Sequence, residues 1–418
     1  MSIKTPAILL SILGVLPAVS PAAAQDWPQW RGPNRDGVAA FFAAPETWPE
    51  KLHPRWRIEV GTGHSSPVLA GGVIYLLSRE GDDEVARAVR LADGEVSWRR
   101  SYAAPYRMSS AATAHGKGPK ATPALAEGRL HTFGISGILS AFDAESGELV
   151  WQQSFAERHG TTSPLYGASA SPLVDGGRVV VHVGGHHDGA LAAFDAATGE
   201  VRWSLEGDGP GYASPIVAEL GGRRQVITQT DRHVVGVDAG DGTLLWKIPY
   251  TTPWDQNIVT PLVIGNRLIV AGLDQPTRAY ELVSAGGELR PEEVWANPDV
   301  PMYMSTPVAA GGRLFGLSHK RSGQIFAVEA ATGKTLWTSG GRDGDNAALV
   351  LAGDRLWVLN DGAELSVLDP KAGSFAPLAR FEVAKSATWA HPLLTDLGVV
   401  VKDETTLALL AFEATPGG

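Results

Sequence analysis

Short runs of aliphatic and β-branched residues, broken by Gly-containing turns, recur along this chain, with little of the three-to-four spacing that marks amphipathic helices. The stretch 170–203 shows the unit: Ala-Ser-Pro-Leu-Val, a Gly-Gly turn, Arg-Val-Val-Val-His-Val, a loop, then Ala-Leu-Ala-Ala-Phe-Asp-Ala-Ala-Thr-Gly-Glu-Val-Arg-Trp. Related units span 122–151, 214–246 and 306–337, with looser copies at 66–98 and 260–295. Their prolines stand at 67, 123, 172, 215, 261 and 307, a period suited to one propeller blade.

Each unit holds strand-like runs in an order that predicts a four-stranded antiparallel meander, and radial repetition of such sheets predicts a β-propeller. Two further units are degenerate. One, 346–381, has Leu349 for the proline and Phe381 near the Trp position; the other, 391–412, supplies only three strands. The segment 55–60 matches the missing Trp-bearing outer strand, so the N-terminal strand is expected to complete the last blade and close an all-β ring of eight blades. Trp56, Trp98, Trp151, Trp203, Trp246, Trp295 and Trp337 then occupy one packing position each, between neighbouring sheets.

Composition agrees: 49 Gly and 28 Pro suit many short strands and tight turns. A formal net charge of −10 without a basic stripe argues against nucleic acid as a partner. The absence of cysteine excludes disulfides, thiol nucleophiles, zinc–cysteine sites and a lipoprotein anchor. Residues 1–24 read as a signal peptide, with Lys4, an apolar run from Ala7 to Val19 and small residues before Gln25. The expected organisation is therefore that leader, an N-terminal extension over 25–53 and a single propeller domain over 54–418, in a protein exported to the periplasm or beyond. No transmembrane segment is expected, and a monomer is.

The Ala-Phe-Asp-Ala-x-Thr-Gly-x-x-x-Trp tail resembles the pyrroloquinoline-quinone-like repeat of quinoprotein dehydrogenases and of outer-membrane protein assembly propeller lipoproteins. The opening Asp26-Trp27-Pro28-Gln29-Trp30-Arg31-Gly32-Pro33-Asn34-Arg35-Asp36-Gly37 is similar to the N-terminus of secreted bacterial propellers of that type. The resemblance implies the fold. Function it leaves divided, because this fold hosts enzymes and scaffolds alike.

In an up-and-down blade the loops between blades share one face with the loops joining strands two and three. That face carries the long loops, and functional residues favour such loops. Two residues before each Ser/Thr-Pro step stand His64, Lys120, Ser169, Tyr212, Ile258 and Met304, with Asn346 and Trp389 as equivalents in the degenerate blades. Eightfold register should place them around the mouth of the central channel. The step position itself holds Ser66, Thr122, Ser171, Ser214, Thr260, Thr306, Ala348 and His391, and its hydroxyls are expected to cap backbone groups at the start of the inner strands. The candidate binding residues are His64, Lys120, Tyr212, Trp254, Asp255, Asn257, Asn346, Trp389 and His391.

His182, His186, His187 and Asp188 are dense in histidine, but adjacent side chains diverge, and no metal site is expected there. No phosphate loop, dinucleotide fingerprint or nucleophile elbow is present. Two main readings remain. The first is a binding or scaffolding propeller that needs no cofactor and takes a protein, small molecule or saccharide at the channel mouth. The second follows from the resemblance of Trp254-Asp255-Gln256-Asn257 to the Trp-Asp segment of quinoprotein alcohol dehydrogenases. It implies Asp255 as the base beside pyrroloquinoline quinone and calcium. Against it, the adjacent cysteine pair of those enzymes is missing, and 184–189 holds no calcium-ligating Glu. A carbohydrate-binding or carbohydrate-processing propeller is the third reading.

Overall fold

Blade 3 shows how the repeat folds. In the computed structural model, which describes residues 26–413, its strands run Leu173–Asp175, Arg178–Gly185, Asp188–Asp195 and Val201–Glu206, paired antiparallel in that order. The middle two are buried on both faces and read as continuous apolar runs; on the outer strand only Trp203 is buried. Eight such sheets form the ring. The eighth takes Leu393–Thr395, Gly398–Lys402 and Thr406–Ala411 from the C-terminal side and His53–Glu59 from the N-terminal side, with Glu59 opposite Thr406 and His53 opposite Ala411. The expected closure is present. The proposed leader at 1–24 lies outside the described residues.

The tryptophan position is built by a bulge. The pairing of third and outer strands slips by a residue beside each of the seven tryptophans, as between Ala193 and Phe194 opposite Trp203. In blade 7, where Phe381 replaces Trp, the ladder runs without a slip. A bulge re-aims one side chain, and here it turns the indole onto the next blade. Trp98 Nε1 donates to Ala144 O at 2.9 Å and Trp151 Nε1 to Ala196 O at 3.1 Å. The receiving turn carries a glycine because a side chain would strike the ring: a Cβ on Gly199 would lie 2.8 Å from Trp151.

Trp246 departs from this pattern, donating instead to Gln225 Oε1 of its own blade. The cause is the neighbour. Blade 5 replaces the expected short turn by a long hairpin, Gln275–Ala285 and Glu288–Asn297, whose Leu282 and Leu289 pack with Leu220 and Trp246.

The step hydroxyls join blade to blade. Ser66 N donates to Thr122 Oγ1, Thr122 N to Ser171 Oγ, Ser171 N to Ser214 Oγ, Ser214 N to Thr260 Oγ1 and Thr260 N to Thr306 Oγ1, at 2.9–3.2 Å. His391 N closes the belt on Ser66 Oγ at 2.9 Å. The belt breaks at Ala348, which has no hydroxyl.

The N-terminal extension fills the channel. Trp27 exchanges two backbone hydrogen bonds with Leu69, and Pro28 O accepts from Leu125 N. Val38–Ala39 adds a fifth, parallel strand to blade 7 along Leu351 and Ala352. Between them, the guanidinium of Arg35 donates to Ser171 O and Pro172 O in blade 3. That of Arg31 donates to Thr306 O and Pro307 O in blade 6. Both arginines are buried, and burial draws them down to about 9 and about 10.

Candidate functional site

The plug turns an open channel into a blind cup. Trp30 forms the floor, edge-on to His391 with ring centroids 4.4 Å apart. Above it the eight residues two before each step do converge: His64, Lys120, Ser169 and Tyr212 on one half, Ile258, Met304, Asn346 and Trp389 on the other, around a cavity of about 160 Å³. Eightfold repetition brings equivalent positions to the axis, so this convergence follows from register alone.

One side of the wall is an unbroken arc of rings. Trp389 lies 5.3 Å from His64 and 5.4 Å from His115; His115 reaches Tyr166 at 6.4 Å, and Tyr166 reaches Tyr212 at 5.8 Å. His115 ends a short 3₁₀ helix, Ser110–His115, which the first long loop lays over the mouth. On the other side Tyr303 donates to Gln256 Oε1. Trp30, His115, Tyr166, Gln256 and Tyr303 were not among the expected binding residues. A Tyr immediately before the register position of Met304 was a readable signal. For Trp30 there was none, because the plug has no repeat to place it.

The cup is positive. Lys120 Nζ donates to Tyr166 O, and burial lowers its ammonium to about 8. Lys402 lies behind His64, bonded to Gly63 O at 2.6 Å, and is also lowered to about 8 by burial. Burial, then Lys120 and Lys402, hold His64 down to about 4. Burial, then Arg31, hold His391 down to about 3, so both imidazoles are neutral at pH 7. No Asp or Glu lines this cavity.

The remaining expected residues stand outside the lining. Asn257 is fully buried, and its amide donates to Thr230 O at 2.7 Å and Tyr250 O at 3.0 Å, so it shapes its loop. Trp254 is 76% exposed on the rim. Asp255 Oδ2 sits 3.7 Å from His187 Nε2, and His187 Nδ1 lies 2.8 Å from the buried Asp231. His187, Trp254 and Asp255 all hold left-handed backbone, at φ of 61°, 63° and 53°. Three nearby histidines are tied separately: His182 to Asp208 O, His186 to Leu165 N, and His159 to Asp188. Among the described residues no three His, Asp or Glu side chains gather as a metal centre.

Sheets closed by a repeated Trp around an aromatic cup define a propeller of the pyrroloquinoline-quinone-like repeat class. The family model described as "Outer membrane protein assembly factor BamB" matches residues 81–339, and the chain belongs to that family. Outer membrane protein assembly factor BamB of Yersinia pestis is 26% identical over 275 residues, 65% of this chain and 63% of that protein. The chain spans roughly half to two thirds of the length of several such relatives, 64% in Shewanella oneidensis and 51% in Moranella endobia. Among solved structures, BamB from Moraxella catarrhalis superposes with a TM-score of 0.64 at 16% identity, over 88% of this chain and 99% of that one. The quinohemoprotein alcohol dehydrogenase of Comamonas testosteroni gives 0.65 at 15% identity, over 94% and 82%. These two likenesses establish the fold and nothing finer. Among the described residues, no helix is long and apolar enough to cross a membrane.

Proposed function

We propose that this protein is an exported, monomeric binding and scaffolding propeller that holds a protein partner on its mouth face, as its family of outer-membrane assembly factors suggests. The observation that carries the reading is the blind aromatic cup with Trp254 standing exposed on its rim. Large rings anchored around a concave, water-excluding centre are what protein hot spots are made of. Long loops on a rigid ring supply the surrounding contact area.

The quinoprotein reading fits the residues poorly. A calcium ion needs several oxygen ligands, with carboxylates foremost, and none lines the cup. Asp255 is engaged with His187 outside it.

A photo-crosslinking residue placed at Trp254 or Leu165 on the mouth face, and at Phe41 on the other face as control, tests the proposal in exporting cells. All three positions are exposed. Discrete protein adducts from the first two and none from Phe41 are expected. Adducts from Phe41 alone would overturn the assignment of the face.

A further inference from the structure

We propose that the cup receives a single aromatic ring bearing a carboxylate, the carboxylate meeting Lys120 and the ring lying against the arc from Trp389 to Tyr212. The inference deepens the binding role of the mouth face and rests on it.

Size sets the first limit. The cavity is about 160 Å³, close to the ~150 Å³ of an apolar cavity that takes up one benzene molecule. One ring fits within it.

Charge sets the second. The protein as a whole is acidic, at −10, yet its axis gathers cations. Lys120 stands in the wall, Lys402 behind His64, and Arg31 and Arg35 among the inner strands beside the floor. Apart from Gln29 Oε1, their hydrogen bonds run to backbone carbonyl oxygens; Asp36 near Arg31, and Asp403 and Glu404 near Lys402, offset part of that charge, whereas burial alone acts on Lys120 in the wall. Desolvated cations in a concave, low-dielectric wall focus a positive potential into the cavity. An arriving anion relieves it; a neutral sugar gains nothing from it.

Donors set the third. An ammonium has three N–H groups, and Lys120 uses one on Tyr166 O. Asn346 Oδ1 accepts from Ser305 Oγ at 3.1 Å, which leaves the Asn346 NH₂ as a further donor in the wall. Ring and carboxylate are thus served by different parts of one cup.

Two sources share this chemistry: a free aromatic acid, and the C-terminal aromatic residue of a polypeptide. Calorimetric titration of the full chain with 3-phenylpropionate, 3-phenylpropionamide, and a hexapeptide ending in Phe as free acid or as amide separates them. Each acid is expected to bind at least ~10-fold more tightly than its amide, the worth of one charge-assisted hydrogen bond. Lys120→Met should erase that preference, and Trp389→Ala should weaken every probe. Binding by 3-phenylpropionate identifies the free acid as sufficient; binding by the peptide acid alone identifies the chain end. Equal affinity for acid and amide, or no binding by any probe, overturns the proposal. The acid–amide comparison is made on the unaltered protein, so it stands even where Lys120→Met fails to fold. Crosslinks from Trp254 with no probe binding would sink this inference alone; probe binding without crosslinks would sink the scaffold reading alone.

Discussion

Arg31 Nη1 donates to Thr306 O across 3.1 Å of space and 275 residues of chain. Its neighbour Arg35 reaches Ser171 O on another side of the ring at 3.0 Å. The two guanidinium groups therefore tie blade 6 and blade 3 to one short segment.

Removing either arginine leaves buried carbonyl groups without donors. Arg31→Ala and Arg35→Ala should each destabilise by about 2–4 kcal/mol, since each loses at least two hydrogen bonds from a charged donor and the buried acceptors remain. Urea denaturation followed by tryptophan fluorescence measures this. A midpoint unchanged in both variants would mean that the plug adds nothing to the ring.

Core and rim tryptophans should separate. Trp203 and Trp246 are 7% and 4% exposed, and truncating either to Ala should cost about 3–5 kcal/mol. Trp254→Ala, at 76% exposure, should move stability by less than about 0.5 kcal/mol. Equal losses in thermal melts of all three would contradict the packing described above.

Gly199 tests the contact from the other side. Its φ is +76°, and a Cβ there would press on Trp151. Gly199→Ala should destabilise by about 2–4 kcal/mol through backbone strain and overpacking together. The hairpin Gly177, with φ +74° and open space around it, isolates the strain alone, so Gly177→Ala should cost less.

Acid should weaken the fold before its carboxylates titrate. Burial holds His64 and His131 to about 4 and His391 to about 3, against 6.5 for an exposed imidazole. Between those values the unfolded chain binds more protons than the folded one. The histidine contribution to stability is therefore fully present above pH 6.5 and is lost as pH drops towards 4. His131 is fully buried, with neither ring nitrogen hydrogen-bonded. His131→Phe should flatten the melting-temperature profile between pH 6.5 and 4, and an unchanged slope would remove His131 from the account.

The ring and its cup were legible because they repeat. A residue at a fixed offset from a step that recurs around an eightfold axis has one place to go, which is why His64, Lys120, Tyr212, Asn346 and Trp389 meet. Sequence reasoning stopped where repetition stops. Trp30 and the two arginines belong to a segment with no second copy to set its register. The pairing of Asp255 with His187 depends on left-handed backbone at non-glycine residues in neighbouring loops, a conformation that residue type does not announce. The displaced indole of Trp246 follows from the length of the blade 5 hairpin, which alters a contact made by blade 4.

The shared eighth blade gives folding an order in time. Its outer strand, His53–Glu59, leaves the ribosome before every other strand of the ring except the short Val38–Ala39 of the plug, while its partner Thr406–Ala411 comes last. The first part of the chain must wait, unpaired, for the last. Until the final strands arrive there is no closed ring, no belt from His391 to Ser66, and no eighth wall for Trp30 to meet at His391. A chain built this way stays open throughout its own synthesis, the condition in which a polypeptide can still be threaded through a narrow pore.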